Sequence, residues 1–138
     1  MAGAVSSEKH ALRLLQNPGN DNDWLNLRLV GVKSNRSAVG AEIKVTVTND
    51  GGAPRPICRT VGQSSSFGGN PLEQHIGLGH GARIVSVEVF WPVSGTRQKF
   101  AGVAKNEFLE IKEFASSFTR LERKKVVFGP GKTVARAR

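Results

Sequence analysis

"GAEIKVTVTNDGGAPRPICRTVG", residues 40–62, is the stretch whose reading decides the fold. Its first half alternates with period two: Ala41, Ile43, Val45 and Val47 fall on one side, Glu42, Lys44, Thr46 and Thr48 on the other. That is the pattern of a strand with one face in a core and one toward water. Asn49, Asp50, Gly51 and Gly52 follow, residue types that tolerate the positive φ of a tight reversal. The chain then returns as "RPICRTVG", where Pro54 and Pro56 confine the returning strand to a sheet edge or a late start, because proline has no amide hydrogen to donate to a ladder. The stretch is predicted to be a β-hairpin.

The same period recurs on both sides of it. "DWLNLRLVG" sets Leu25, Leu27 and Leu29 against Asn26 and Arg28. "RIVSVEVFWP" puts Val85, Val87, Val89 and Trp91 on one face and Ile84, Ser86, Glu88 and Phe90 on the other. "SGT" turns the chain toward "RQKFAGV", and "EFLEIKEF" sets Phe108, Glu110 and Lys112 against Leu109, Ile111 and Glu113. Helical patterning is confined to two short runs, "SEKHALRLLQ" (7–16) and "SSFTRLERK" (116–124). Short strands separated by Gly-rich turns predict an all-β fold, an antiparallel β-sandwich or small barrel of six to seven strands. A short N-terminal extension (1–16) and a basic C-terminal tail or arm (114–138) flank the β domain (17–113).

At 138 residues the chain is one ordinary domain that buries roughly two thirds of its unfolded surface. Hydrophobic content of 38% and charged content of 22% are those of a globular domain, and no apolar run approaches the roughly 20 residues of a membrane span. The first twenty residues lack the basic start and apolar stretch of a secretory signal. The single Cys58 excludes an intramolecular disulfide and is expected to pack beside Ile57; His10, Cys58, His75 and His80 do not make a zinc framework. Net charge is +9, and residues 114–138 hold seven Lys and Arg against one acid. Arg120, Arg123, Lys124, Lys125, Lys132, Arg136 and Arg138 read either as a solvated terminus or as a polyanion contact that works by counterion release.

"VGQSSSFGGNPLEQHIGLGHG", residues 61–81, carries the residue types of a catalytic or phosphate loop without their spacing. No Lys follows Gly68 or Gly69, as a Walker cradle requires, and "GQSSS" lacks the closing glycine of a nucleophile elbow. A hydrolase would have to join Ser64, Ser65 or Ser66 to His75 and Glu73, which share one side of a strand. The reading adopted is a flexible connection, "GQSSSFGGNP", and then a strand with Leu72, Gln74, Ile76 and Leu78 on one face and a bulge at Gly77 and Gly79.

Taken together, "NDNDWLNLRLVGVKSNRSAVGAEIKVTV", "QHIGLG", "VSVEVFWPVSGTRQKF" and "FLEIKE" resemble the ASPIC/UnbV domain over about residues 17–113. Trp24 matches its strand-opening tryptophan, and Ser34, Asn35, Arg36, Gly40 and Ala41 its S-N-R-x-x-x-G-A turn. His75, Gly77, Leu78 and Gly79 match H-F-G-L-G with Ile76 in place of phenylalanine; Trp91, Pro92, Ser94 and Gly95 match W-P-S-G with Val93 added. Phe90 departs from the pattern, which has a polar residue there, and as an outward aromatic it is expected to be covered by a tail or a partner. "RLLQNPGN" resembles the end of a propeller repeat. The resemblance implies a noncatalytic module of secreted proteins built on FG-GAP/VCBS repeats, extracellular or periplasmic, that binds a protein or glycan partner or takes part in assembly.

On this reading the expected partner-binding residues are Asn35, Arg36, Ser65, Ser66, His75 and Phe90, with Arg36 offering its five donors to orphan carbonyls of its turn or, alternatively, to a carboxylate or sulfate. Ser34 and Asn35 are expected to hold their turn by bonding nearby amides, and Trp24 and Trp91 to fill the core. No cofactor is expected. Asn17, Asp21 and Asp23, with Asn20 and Asn22 between them, are hard oxygen donors at short spacing, the type that suits Ca²⁺, though without the glutamate of an EF-hand. Nucleic-acid binding through the tail is the alternative function.

Overall fold

A computed structural model of the protein describes residues 19–49, 52–62, 64–65 and 68–124. Its strands are β1 (Asp23–Val30), β2 (Glu42–Thr48), β3 (Arg55–Thr60), β4 (Ser64–Ser65), β5 (Gly68–Gly69), β6 (Gln74–Gly79), β7 (Arg83–Trp91), β8 (Thr96–Phe100), β9 (Glu107–Lys112) and β10 (Thr119–Arg120). Seven of these have five residues or more; β4, β5 and β10 have two each. One sheet has the order β10-β9-β1-β6, the other β3-β2-β7-β8, and β4 pairs with β5 in a ribbon of its own. The inner faces of the two large sheets share a single apolar cluster, which makes the fold an all-β sandwich.

The hairpin of residues 40–62 forms as expected. β2 and β3 pair from Glu42↔Thr60 to Val47↔Arg55, Gly52 N–H donates to the Asn49 carbonyl (2.8 Å), and the proline-bearing β3 is a sheet edge. Leu25, Leu27 and Leu29 of β1, Ile76 and Leu78 of β6, and Leu109 and Ile111 of β9 face Ile43, Val45 and Val47 of β2 and Val87, Val89 and Trp91 of β7. The Trp91 indole is fully buried and its Nε1–H donates to Gln98 Oε1.

The structure departs from strict alternation in several places. β1 and β9 pair in parallel, Leu25 opposite Glu107 through Val30 opposite Lys112, because this alignment extends the leucine row of β1 into Leu109 and Ile111. In β7 the register with β2 slips between Thr46 and Val47, so Ile84 points inward and Val85 is the extra residue, exposed. The expected faces of those two residues are thereby exchanged. Trp24 does not fill the core: it lies on the outer face, one position out of phase with Leu25, Leu27 and Leu29. Gln74, Ile76 and Leu78 share the inner face of β6, but Leu72 precedes the strand and is exposed. The β6 bulge falls at the expected glycines, with Asp23 opposite Gly79 and Trp24 opposite Gly77.

The run 116–124 is not a helix. Thr119 and Arg120 pair with Glu110 and Leu109, and Phe118 packs edge-on to the buried Phe100, so tertiary contacts override local helical patterning. Ordered packing thus continues beyond Glu113. The connection 62–71 contains the β4–β5 ribbon rather than a plain loop. The helical expectation for 7–16 and the propeller-like segment up to Pro18 lie outside the described residues.

Candidate functional site

The outer face of the β10-β9-β1-β6 sheet gathers candidates that lie far apart in sequence. Trp24 stands between β9 and β6, its ring 5.6 Å from the exposed His75 ring (29° between planes) and 5.0 Å from Phe108 in an edge-on contact. Arg123, beyond β10, lies over Phe108 (5.6 Å to the ring centroid) and reaches Glu73 at the start of β6, with Nη2 to Oε2 at 2.6 Å. Asn26 sits in the row this side chain spans, opposite His75 in β6 and Phe108 in β9; its Oδ1 is buried and accepts no hydrogen bond. Further along β1 a cleft of about 550 Å³ is lined by Arg28, Arg36, Leu72, Glu73, Glu110 and Arg123. Arg28 faces Glu110 at 3.4 Å. The Arg36 guanidinium is exposed and, among the described residues, bonds neither carboxylate nor carbonyl.

Asn35, expected at a partner surface, closes its own turn: its Oδ1 accepts from Val39 N–H and its Nδ2 donates to the Val39 carbonyl, both at 2.9 Å. Ser34 is buried against Glu113. One oxygen of the Glu113 carboxylate, Oε2, accepts from the amides of Val32 (2.6 Å), Lys33 (2.8 Å) and Ser34 (2.8 Å), and the Ser34 hydroxyl donates to Oε1 (2.8 Å). Three consecutive N–H groups aimed at one anion form a nest. Burial pushes the carboxyl upward, but the Ser34 amide, the Val32 amide and the Ser34 hydroxyl overcome that and hold it at about 2, down from the ordinary 4.5. The 34–41 segment that carries part of the family resemblance is therefore tied to an internal anion. Sequence reading missed Glu113 because its partners lie 79 to 81 residues away; the one signal was a glutamate in phase with Leu109 and Ile111.

The outer face of the second sheet holds Phe90. Arg97 of β8 covers it, the guanidinium 4.2 Å from the ring centroid, so the cover comes from within the sheet. Beside it Glu88 bridges Lys99 (3.1 Å) and Lys44 (3.6 Å), and the Lys99 hydrogen bond and the two ammonium charges keep its carboxyl below the usual range. Cys58 lies exposed on the same face rather than packed, because it pairs across from the outward Lys44. These residues line a concavity of about 400 Å³.

Of the calcium candidates, the carboxylates of Asp21 and Asp23 are not drawn together. Asp23 is buried, and its carboxylate accepts from Lys105 Nζ (2.8 Å), Ala82 N–H (3.0 Å) and Asn106 Nδ2 (3.1 Å). The Lys105 hydrogen bond leads the lowering of its carboxyl, and that ammonium occupies the place of a cation. Asp21 is exposed, and its carbonyl oxygen lies 3.2 Å from His80 Nδ1. Among the described residues no group of three or more His, Cys, Asp or Glu could hold a metal; Asn17 lies outside them. Glu73 pairs with Arg123 and His75 stacks on Trp24, so the two do not form an acid–base pair. Ser65 opposes Gly68 in the ribbon, and Ser66 lies outside the described residues. Of the basic tail, Arg120 pairs with Glu107 (2.9 Å) and Arg123 with Glu73, which removes both from a free cationic run; Lys124 is exposed, and Lys125, Lys132, Arg136 and Arg138 lie outside the described residues. Among the described residues no helix is long and apolar enough to cross a membrane.

Fold and surface define a small all-β module: a sandwich closed on itself by a buried anion, with rings and arginines on an outer face. Residues 31–118, more than half of the chain, match the family described as ASPIC and UnbV. The chain belongs to that family. No curated protein and no solved structure matches it. The matched span contains the 34–41, 75–79 and 91–95 segments and runs on to Phe118, the residue that packs against Phe100.

Proposed function

We propose that the protein is a noncatalytic binding module that presents the outer face of the β10-β9-β1-β6 sheet to a partner outside the cytoplasm. One observation carries this reading: His75 and Arg123 lie beside Trp24 and Phe108 on one face, and Arg123 also lines the adjoining cleft that holds Arg36. Half-buried rings and arginines are the side chains that dominate recognition surfaces, since they exchange large apolar area or directed charge for little conformational entropy. The catalytic alternative finds no support in the placement of Glu73 and His75, and of the described tail cations Arg120 and Arg123 carry carboxylate partners, which leaves Lys124 to the polyanion alternative. Immobilised full-length chain, probed with glycan and surface-protein panels, tests the proposal. Binding that Trp24→Phe together with Arg36→Ala abolishes is the expected result; binding unaffected by this pair, or absent from every panel, overturns it.

A further inference from the structure

We infer that the outer face of the β10-β9-β1-β6 sheet takes an acidic oligosaccharide, with a sugar ring against Trp24 and an anionic substituent on Arg36. The inference rests on the binding-module reading and names its ligand. Gly77 lies opposite Trp24 in the β6 register, and a Cβ built there meets nothing within 4 Å, so the sheet is open beside the indole and the exposed His75 ring stacked with it. A pyranose fits such a place: its ring C–H groups carry partial positive charge and seek the negative face of an aromatic ring. About 13 Å along β1, at the strand rise per residue, the surface turns cationic at Arg28. There Arg28 and Arg123 each face a glutamate while Arg36 faces none, which leaves the cleft one anion short. A carboxylate or sulfate meets a guanidinium with two parallel hydrogen bonds, the arrangement arginine favours.

Two further features separate a saccharide from other anions. Glu73 and Glu110 line the same cleft, and carboxylates accept from sugar hydroxyls, donors that a DNA phosphate backbone does not offer. An extended peptide gains most of its affinity by adding to an open sheet edge, whereas this surface is the face of a sheet whose central strand is paired on both sides.

Calorimetry on the full chain, with a galacturonate tetrasaccharide, its neutral methyl ester, a sulfated tetrasaccharide, a glutamate oligopeptide and oligo-dT, tests this directly. Either acidic saccharide is expected to bind at least tenfold more tightly than the ester, and the two distinguish carboxylate from sulfate. Trp91 is fully buried, so ligand-dependent fluorescence is expected from Trp24 and is expected to vanish in Trp24→Phe. Arg36→Ala, at an exposed side chain with no partner to lose, is expected to keep the urea midpoint and lower acidic-saccharide affinity at least tenfold. Equal affinity for acid and ester, peptide or oligo-dT binding as tight as saccharide, or an unchanged Arg36→Ala affinity overturns the inference. If no saccharide binds while a protein partner is captured through Trp24 and Arg36, this inference fails and the binding-module reading stands; if nothing binds, both fail.

Discussion

Replacing Glu113 probes the anion that ties the turn after β1 to the end of β9. The carboxylate, itself buried, takes three amides and one hydroxyl at 2.6 to 2.8 Å. A hydrogen bond to a charged group contributes about 1.5–3 kcal/mol, but these four share one acceptor and do not add; breaking such a buried set costs about 3–5 kcal/mol. Glu113→Ala is therefore expected to destabilise by about 3–5 kcal/mol, and Glu113→Gln, which keeps the shape and one carbonyl oxygen, by about 2 kcal/mol. The pH dependence has a definite sign. The folded carboxyl sits at about 2 against an ordinary 4.5, so its contribution is complete above about 4.5 and is lost as pH falls toward 2. Urea denaturation of wild type and Glu113→Gln, repeated from pH 7 down to 2, reads both effects. The two stabilities are expected to differ most at neutral pH and to converge in acid, while hydrogen exchange at the amides of Val32, Lys33 and Ser34 speeds up in the variant. Equal midpoints at pH 7, or parallel pH profiles, would refute the nest as a source of stability.

Other expected outcomes concern packing. At Gly31 an added Cβ would stand 2.2 Å from the Asn35 carbonyl oxygen, so Gly31→Ala must push the 31–36 turn aside and is expected to cost about 2 kcal/mol or more in urea denaturation. The β7 bulge predicts that Val85→Lys stays within about 0.5 kcal/mol of wild type while Ile84→Lys unfolds the domain; strict alternation predicts the reverse. Trp91→Ala is expected to lose about 3–5 kcal/mol and Trp24→Ala clearly less, compared by denaturant midpoint, since the first ring is core and the second surface.

The sequence made local pairing legible and left long-range pairing dark. Alternation around Asn49–Gly52 gave the β2–β3 hairpin, because both partners and their turn lie within one short window. The same alternation, followed strictly through Leu25, Leu27 and Leu29, would have put Trp24 outside; weighing its size over its phase placed it in the core. Val85 could not be read, since a bulge is a property of two strands and shows in neither alone. Of the surface, Arg36 and His75 were found as residue types, but their company was not. Trp24, Phe108 and Arg123 come to them through the pairing of β1 with β6 and β9, strands separated by most of the domain.

The parallel alignment of β1 and β9 has a mechanical consequence. The two strands run side by side in the same direction, so tension applied at the start of β1 and the end of β9 pulls them past each other along their length. Their evenly spaced, slanted hydrogen bonds then share the load together instead of parting one at a time. β10, paired by two residues at the edge, peels first; the strand it leaves behind is clamped in shear. In a single-molecule pulling experiment the β1–β9 pair is expected to hold to a higher force than the two-residue β10 pairing.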